Sequence, residues 1–400
     1  MKRSRIDNFI MGQEGLKRLT RKEIEAVQLK KLNRVLTQEK QRAGFYRDLP
    51  EHLKSLEELG TLPFTTEEDL AQSASGLLLR SQSDIQRVLS DATSGTTGAA
   101  KRVFYTKEDC RNTVELFIAG LGELVFPGSV TMICFPFSGP YGLGELISEA
   151  IEGLGARPLK LGTALSYGEF HVVMERERPD TFVGMPVQLL SLLRVIGRGS
   201  LERALVSGDS CPDAVIKSCE KILGSRLFPH YGSREMALGG AITCPAHEGM
   251  HLRENHVIAE IIDQAGRILP PGEMGELVIT TIGMEAMPLI RYRTGDYTRI
   301  LPAPCPCGSE VLRLDTIRRA DTEEILCLDE WMFRQPGVVD YRAERRNGNL
   351  VLTVLTVDDT PAVPPAGAKI IQQSVTEDDR PLYMGKRKII LSDVQDKQKG

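Results

Sequence analysis

Thr93-Ser94-Gly95-Thr96-Thr97-Gly98-Ala99-Ala100-Lys101 is the stretch on which the reading of this chain turns. Its glycines let the backbone turn tightly with its N–H groups exposed, and the hydroxyls of Thr93, Ser94, Thr96 and Thr97 add donors in the same place. A nest of this kind suits a polyphosphate, with Lys101 adding a cation at its end. Apolar stretches on either side, 85–89 and 103–105, make it a loop between strands rather than the start of a helix. It is not a Walker P-loop, which needs four residues between its glycines and then Gly-Lys-Ser/Thr. Here two residues separate Gly95 from Gly98, and Ala99 follows. The plainer alternative is a polar surface turn.

Composition bounds what surrounds it. Four hundred residues, 41% hydrophobic and 26% charged, suit one large globular domain with a small one, or two comparable domains. A net charge of −4 and a pI near 6.0 argue against a nucleic-acid-binding surface spread over the chain. No apolar run approaches the roughly 18 residues needed to cross a bilayer. The basic start Met1-Lys2-Arg3 is not followed by a signal-peptide-like apolar stretch, so a cytoplasmic protein is expected. Eight cysteines in so long a chain do not form a disulfide framework. Cys110, Cys134, Cys211, Cys219 and Cys327 are scattered and read as packed or inert.

Outward from the loop, the pattern is alternately helical and extended. Residues 15–43 read as one amphipathic helix, and Thr65 or Thr66 can cap a short helix with acidic residues in its first turn. A helix is predicted over 106–123 and a buried strand over 130–134. A Gly-rich turn carrying Phe137 and Tyr141 comes next, then a helix from about 145. The alternation continues with a helix at 170–176, a strand at 181–184, a Gly184-Met185-Pro186 turn, a helix at 187–196 and a strand at 203–207. Ser207-Gly208-Asp209 ends that strand, where open α/β sheets bind ligands. In His230-Tyr231-Gly232-Ser233-Arg234-Glu235 a ring can stack on a base and a carboxylate can hold Mg²⁺; alone, the run is no more than a surface turn. After a β-rich stretch, 257–283, comes Met287-Pro288-Leu289-Ile290-Arg291-Tyr292-Arg293-Thr294-Gly295-Asp296. The Asp296 carboxylate can accept two hydrogen bonds from a vicinal diol, or form a structural Arg–Asp pair.

These runs resemble the adenylate-forming, acyl-CoA synthetase superfamily, and within it the phenylacetate–CoA ligase branch. The loop is similar to Ser/Thr-Ser/Thr-Gly-Ser/Thr-Thr-Gly-x-Pro-Lys, with Ala100 in place of proline. The segment from Ala43-Gly44-Phe45-Tyr46-Arg47 through Leu62-Pro63-Phe64-Thr65-Thr66 is similar to the branch's amino-terminal region. Ser207-Gly208-Asp209 resembles the Ser/Gly-Gly/Ala-Glu segment at adenine, and 231–235 resembles Tyr-Gly-x-Ser/Thr-Glu with Arg234 where a hydroxyl is expected. The run ending at Asp296 is similar to Met-Pro-x-Ile-Arg-Tyr-x-Thr-x-Asp, whose aspartate binds both ribose hydroxyls. Met384-Gly385-Lys386-Arg387-Lys388 resembles the superfamily's terminal Gly-Lys segment; the alternative is an exposed basic tail, and Lys388 competes with Lys386 for the register. Ile317-Arg318-Arg319-Ala320-Asp321 resembles the hinge motif Gly-Arg-x-Asp without its glycine.

The resemblance implies an α/β fold: a large N-terminal adenylate-forming domain, 1–314, of mixed β-sheets and helices, and a small mobile α+β lid, 315–400. It assigns Ser94, Gly95, Thr96, Thr97, Gly98 and Lys101 to the phosphates, and Ser207, Gly208, Asp209, His230, Tyr231 and Gly232 to the adenine end. Asp296 and Arg319 go to ribose or phosphate, Glu235 to Mg²⁺, and Phe137, Tyr141, Gly184 and Pro186 to the acyl pocket. Lys386 would draw together the substrate carboxylate and the α-phosphate, so Thr97, Lys101, Glu235 and Lys386 form the catalytic group. Asp321 would be a hinge residue.

A metal site is also expected. Cys305-Pro306-Cys307-Gly308, together with Cys244 and either His247 or His251, can supply a Cys₃His set for structural zinc. Some proteins of the ligase branch have a similar Cys…Gly-x-His…Cys-x-Cys arrangement, which favours His251 and leaves His247 in reserve. The alternative is buried thiols and a surface histidine.

The implied activity is ATP-dependent ligation of an aromatic or arylacetic acid, such as phenylacetate, to coenzyme A through an acyl-adenylate, with AMP and pyrophosphate as products. The implied partners are the acid and CoA, neither nucleic acid nor membrane, with a homodimer left open. Two other readings stand beside it: an adenylating enzyme delivering to a carrier-protein thiol or another nucleophile, and a non-catalytic nucleotide-binding relative.

Overall fold

A computed structural model describes residues 4–91, 101–319, 323–357, 360–383, 385–387, 389 and 391. Thr93, Ser94, Gly95, Thr96, Thr97, Gly98 and Asp321 therefore lie outside the described residues, as does Lys388. The chain forms two compact units. One comprises Met1–Glu123 with His230–Ala320, the other Leu124–Pro229 with Asp321–Gly400.

The first unit opens with a helix, Arg5–Glu14, capped by Ser4 and closed by Gly15 in the left-handed region at φ 65°. The single helix expected over 15–43 is thus corrected: the chain breaks at Gly15 and restarts at Arg21. There Thr20 and Glu23 satisfy each other's backbone N–H in a capping box, and the helix runs to Arg42. Thr66, with Asp69, caps the short helix Glu67–Ser73 in the same way. Strands Ile85–Asp91 and Lys101–Thr106 pair antiparallel, with Asp91 opposite Lys101. Thr106 then caps helix Lys107–Leu121 through Asp109, whose carboxylate also accepts the N–H groups of Glu285 (2.8 Å) and Ala286 (3.1 Å).

Four antiparallel strands, Val257–Ile262, Gly275–Thr281, Tyr292–Thr298 and Arg318–Arg319, form a sheet in that order. Ala241–Thr243, Met250–Leu252 and Arg313–Leu314 pair beside His230 and Tyr231. The turn before Tyr292 is held by a buried arginine. Arg291 donates to both Glu260 oxygens at 3.0 Å and to the carbonyls of Gly60 (2.8 Å) and Leu62 (2.6 Å), with Phe64 4.1 Å from its guanidinium. Thr65 bridges to the same run: its N–H donates to Arg291 O (3.0 Å), its hydroxyl to Ile290 O (2.7 Å), and its carbonyl accepts from Arg293 N (2.9 Å). Two sequence runs more than two hundred residues apart are thereby stitched together.

In the second unit, Arg157–Lys160, Val130–Cys134, Thr181–Gly184, Arg203–Val206 and the start of Phe228–Tyr231 lie side by side, all parallel. Helices Leu143–Gly153, Tyr167–Glu177, Pro186–Val195 and Asp213–Leu223 alternate with them; the sequence pattern predicts the first three, while helix Asp213–Leu223 and strand Arg157–Lys160 are additions made by the structure. Phe170, Phe182, Leu189, Leu190 and Ala204 are wholly buried in its core. The same unit holds helix Glu323–Phe333, the hairpin Val338–Arg346 and Asn349–Thr356, and strand Ala368–Ser374 parallel to the latter. No helix among the described residues is long and apolar enough to cross a membrane.

One buried acid in the first unit makes stability depend on pH. Glu39 is 1% exposed, and its Oε1 has no hydrogen-bond partner. Burial pushes its carboxyl up to about 7, against an N–H bond from Tyr46 that acts the other way. The folded chain thus holds a proton that the unfolded chain releases above its ordinary value of 4.5. Stability from this group is full below that value and falls as pH rises through about 7. Glu39→Gln should leave stability at pH 5 near wild type and raise it at pH 8 by up to about 3 kcal/mol, read by urea unfolding. Parallel pH profiles of the two proteins would contradict this.

Candidate active site

Lys101 opens the strand that follows the glycine loop, and its ammonium is drawn into the unit rather than out to solvent. It forms an ion pair with Glu235, which sits in the one-turn 3₁₀ helix Arg234–Met236; the two side chains are 15% and 7% exposed. The Tyr292 hydroxyl accepts from the ammonium at 3.2 Å, and Glu67 lies 3.6 Å away at the rim. Burial works to lower the lysine's pKa, but Glu235 and Tyr292 outweigh it and hold the ammonium charged. Burial works to raise Glu235, and the Lys101 charge and hydrogen bond hold it below the ordinary carboxylate range. Both groups are therefore ionised at neutral pH and largely shielded from water. The segment is fixed by a further bond, from the Tyr105 hydroxyl to the Arg234 carbonyl at 2.7 Å.

Next to this pair stands a second polar group. The Tyr231 hydroxyl donates to Asp296 Oδ2 at 2.7 Å, and Arg319 Nε lies 3.5 Å from Asp296 Oδ1. Asp296 and Arg319 face each other across the sheet, so backbone register sets this pairing. Burial, then Asp296, then Glu235 raise the Tyr231 phenol well above its ordinary value, so both acids act on one ring. Gly232 is required here: a Cβ would collide with the Leu238 carbonyl oxygen. His230 is buried, with Phe117 5.7 Å from its ring, and burial pushes its pKa down to about 4. It is a neutral packed imidazole.

Of the remaining expected site residues, most lie in the second unit. Ser207, Gly208 and Asp209 follow strand Arg203–Val206, with Gly208 left-handed at φ 84°. Asp209 accepts the backbone N–H of Arg387 at 2.8 Å, and the charge of exposed Lys386 acts on it too. Gly184 ends a strand, and Pro186 starts the next helix at its first turn. Phe137 is half-buried over Gly144, in the space a Cβ would fill, with Lys160 5.9 Å from its ring. Tyr141 is left-handed at φ 65°.

Cys244, His251, Cys305 and Cys307 come together in the first unit, all buried, with their ligand atoms within 4.8 Å of one another. Cys244 Sγ and Cys305 Sγ are 3.7 Å apart, too far for a disulfide, and Cys307 Sγ lies 3.6 Å from His251 Nε2. Those two separations match two of the six edges of a tetrahedron with bonds of about 2.3 Å to sulfur and 2.0 Å to nitrogen. His247 is outside this group, left-handed at φ 54°, with its N–H on Cys244 O.

The AMP-binding enzyme family model matches residues 88–286, which include Lys101, Tyr231 and Glu235. The chain is 28% identical to a phenylacetate-coenzyme A ligase of Thermus thermophilus, over 95% of this chain and 92% of that one. It is 30% identical to a phenylacetate-coenzyme A ligase of Aromatoleum evansii, over 72% of this chain and 69% of that one. The chain belongs to the phenylacetate–CoA ligase branch of the adenylate-forming enzymes. Its fold is that of the 2-hydroxyisobutyryl-CoA ligase crystallised in the postadenylation state with R3-HIB-AMP. The match has a TM-score of 0.77 at 17% identity and covers 95% of this chain and 92% of that one.

Sequence reading of this ligase-branch chain passed over two residues at Lys101. Tyr292 lies inside the run ending at Asp296 but was read only as pattern, and Glu67 was read only as a helix-start acid. Neither residue carries a local signal in the sequence; what marks them is the Lys101 ammonium that the fold sets beside them.

The geometry separates the two acids at Lys101. Glu235→Gln leaves a shielded ammonium with only the rim carboxylate and should cost about 3 kcal/mol in urea unfolding. Glu67→Gln, at an exposed position, should cost less than about 1 kcal/mol. Equal losses would contradict the assignment of Glu235 as the buried counter-charge.

Proposed function

We propose that this chain is an ATP-dependent carboxylate–CoA ligase, forming AMP and pyrophosphate, that acts on an aromatic or arylacetic acid such as phenylacetate. The observation that carries the reading is the gathering, within one compact unit, of Lys101, Glu235, Tyr231, Asp296 and Arg319 from separate runs of the sequence. The names of the relatives support the substrate class.

In this reading Asp296 takes the ribose hydroxyls and Tyr231 supports both that carboxylate and the base. The triphosphate reaches the nest of Ser94, Gly95, Thr96, Thr97 and Gly98, and Lys101 turns from Glu235 to the phosphates. Because Lys101 and Glu235 are already charged and shielded, that exchange of partners needs little further desolvation. Glu235 would hold Mg²⁺, which when bound would supply charge neutralisation at the phosphates. A carboxylate oxygen of the acid then bonds to the α-phosphorus as the bond to the bridging oxygen breaks and pyrophosphate leaves. Lys386 draws the two negative groups together. The CoA thiolate next bonds to the acyl carbon, and AMP departs with the acid's former oxygen. Catalysis rests on positioning and charge rather than on a protein nucleophile. Residues 315–400 serve as the mobile lid, hinged near Asp321, and Phe137, Tyr141, Gly184 and Pro186 border the acyl group. A cytoplasmic location goes with this activity.

The Cys₃His cluster is read as a structural zinc site, because four buried donors converge, two of their separations match tetrahedral zinc, and all four donors come from protein. Such a metal would tie the segment after Glu235 to the segment after Asp296.

ATP–pyrophosphate exchange with aryl, arylacetic and aliphatic acids, with and without CoA, tests the activity. Exchange driven by an aromatic or arylacetic acid, with thioester formed when CoA is added, is expected. Exchange without thioester would mean another acceptor, and no exchange with any acid would overturn the reading. Asp296→Ala should weaken ATP binding by about 100-fold, since a charged carboxylate with two hydrogen bonds is removed; unchanged affinity removes the ribose assignment. Protein treated with chelator and purified again should carry about one zinc per chain by elemental analysis. Metal-free folded protein would discard the zinc site.

A further inference from the structure

Lys386 is exposed, and its charge acts on Asp209. The residue after Lys386 is buried between two carboxylates. Arg387 has a side chain 9% exposed, with Nη1 2.8 Å from Asp329 Oδ1 and Nε 3.2 Å from Asp340 Oδ1. The rings of Phe333, Tyr341 and Tyr383 lie 5.0, 4.9 and 5.8 Å from its guanidinium carbon. The carboxylates are themselves fixed: the Tyr341 hydroxyl donates to Asp329 Oδ1 at 2.6 Å, and the Tyr341 N–H to Asp340 Oδ1 at 2.8 Å. The Arg387 main-chain N–H, meanwhile, donates to Asp209 Oδ2 at 2.8 Å. The 386–387 peptide is thus caught between Asp209 on one side and a buried ionic clamp on the other.

A buried ion pair seldom stabilises a fold more than well-packed apolar groups would. What this guanidinium adds is a fixed place, through its hydrogen bond to Asp329 and its charge contact with Asp340. That place matters here because Arg387, with Gln188, Asp209, Asp340, Tyr383 and Gly385, lines one small cavity beside the 386–387 peptide. We propose that Arg387 is a positioning residue for acyl-adenylate formation: its clamp on Asp329 and Asp340 sets the 386–387 peptide against Asp209 and thereby places the Lys386 ammonium. The catalytic part of this inference rests on the ligase reading of Lys386.

Arg387→Met keeps length and packing but loses both contacts; Arg387→Lys keeps a charge that can reach one carboxylate. In Arg387→Met, hydrogen exchange of the amide at position 387 should speed up about 10-fold or more. The kcat of acid-dependent pyrophosphate exchange should fall about 100-fold, as for a misplaced catalytic group, with KM for ATP and acid changed less than about 3-fold. Thioester formation from pre-made acyl-adenylate and CoA should stay within about 3-fold of wild type, and Arg387→Lys should recover part of the lost kcat. Unchanged amide exchange overturns the proposal whatever the activity. Equal losses in both half-reactions overturn it as well, since they mean general damage to this unit. A wild-type protein inactive with every acid would count against the ligase reading and against the catalytic role of Arg387, while hydrogen exchange would still decide whether Arg387 fixes the segment.

Discussion

A lysine ammonium and a glutamate carboxylate, brought together where little water reaches them, set the terms for the first unit. Lys101 and Glu235 are each shifted by burial toward neutrality and each held charged by the other. Neither partner can leave unless another counter-charge takes its place, because either alone would be a shielded charge without compensation. Everything around it resists displacement. Tyr105 holds the Arg234 carbonyl, Tyr292 accepts from the ammonium, and Gly232 allows a close approach to Leu238 that no side chain could make.

The support behind the pair is built from distant sequence. Arg291 is stacked on Phe64 and bound to Glu260, Gly60 and Leu62, so the turn that presents Tyr292 and Asp296 is anchored to the amino-terminal run. Asp109 does the same from another direction, gathering the N–H groups of Thr106, Glu285 and Ala286 onto one carboxylate. Polar anchors thus align the strand from Lys101, the turn at Glu235 and the strand to Asp296. A site assembled on such elements can present charge to a ligand with little rearrangement.

Much of this was legible in the sequence, for identifiable reasons. Strand–helix alternation from 130 to 207 follows hydrophobic period and turn residues, and the expected elements appear within a few residues of their bounds, whereas strand Arg157–Lys160 and helix Asp213–Leu223 were not foreseen. The error at 15–43 arose because helical periodicity continues through a stop that only Gly15 and the Thr20–Glu23 box disclose. Local motifs drew attention to Lys101, Tyr231, Glu235 and Asp296, but not to the bonds among them, which depend on strand register and buried charge. Tyr292, Glu67 and Arg387 escaped because nothing local separates a phenol, a helix-start acid or a basic residue near the chain's end from their ordinary kinds. Their roles come from what folding sets beside them.

The most direct measurement is a crystal structure with a non-hydrolysable ATP analogue and Mg²⁺. The ribose hydroxyls should lie on Asp296, the base beside Tyr231, and the triphosphate against the Thr93–Lys101 stretch with Lys101 released from Glu235. Nucleotide bound elsewhere, with Lys101 still on Glu235 and Asp296 untouched, would contradict it.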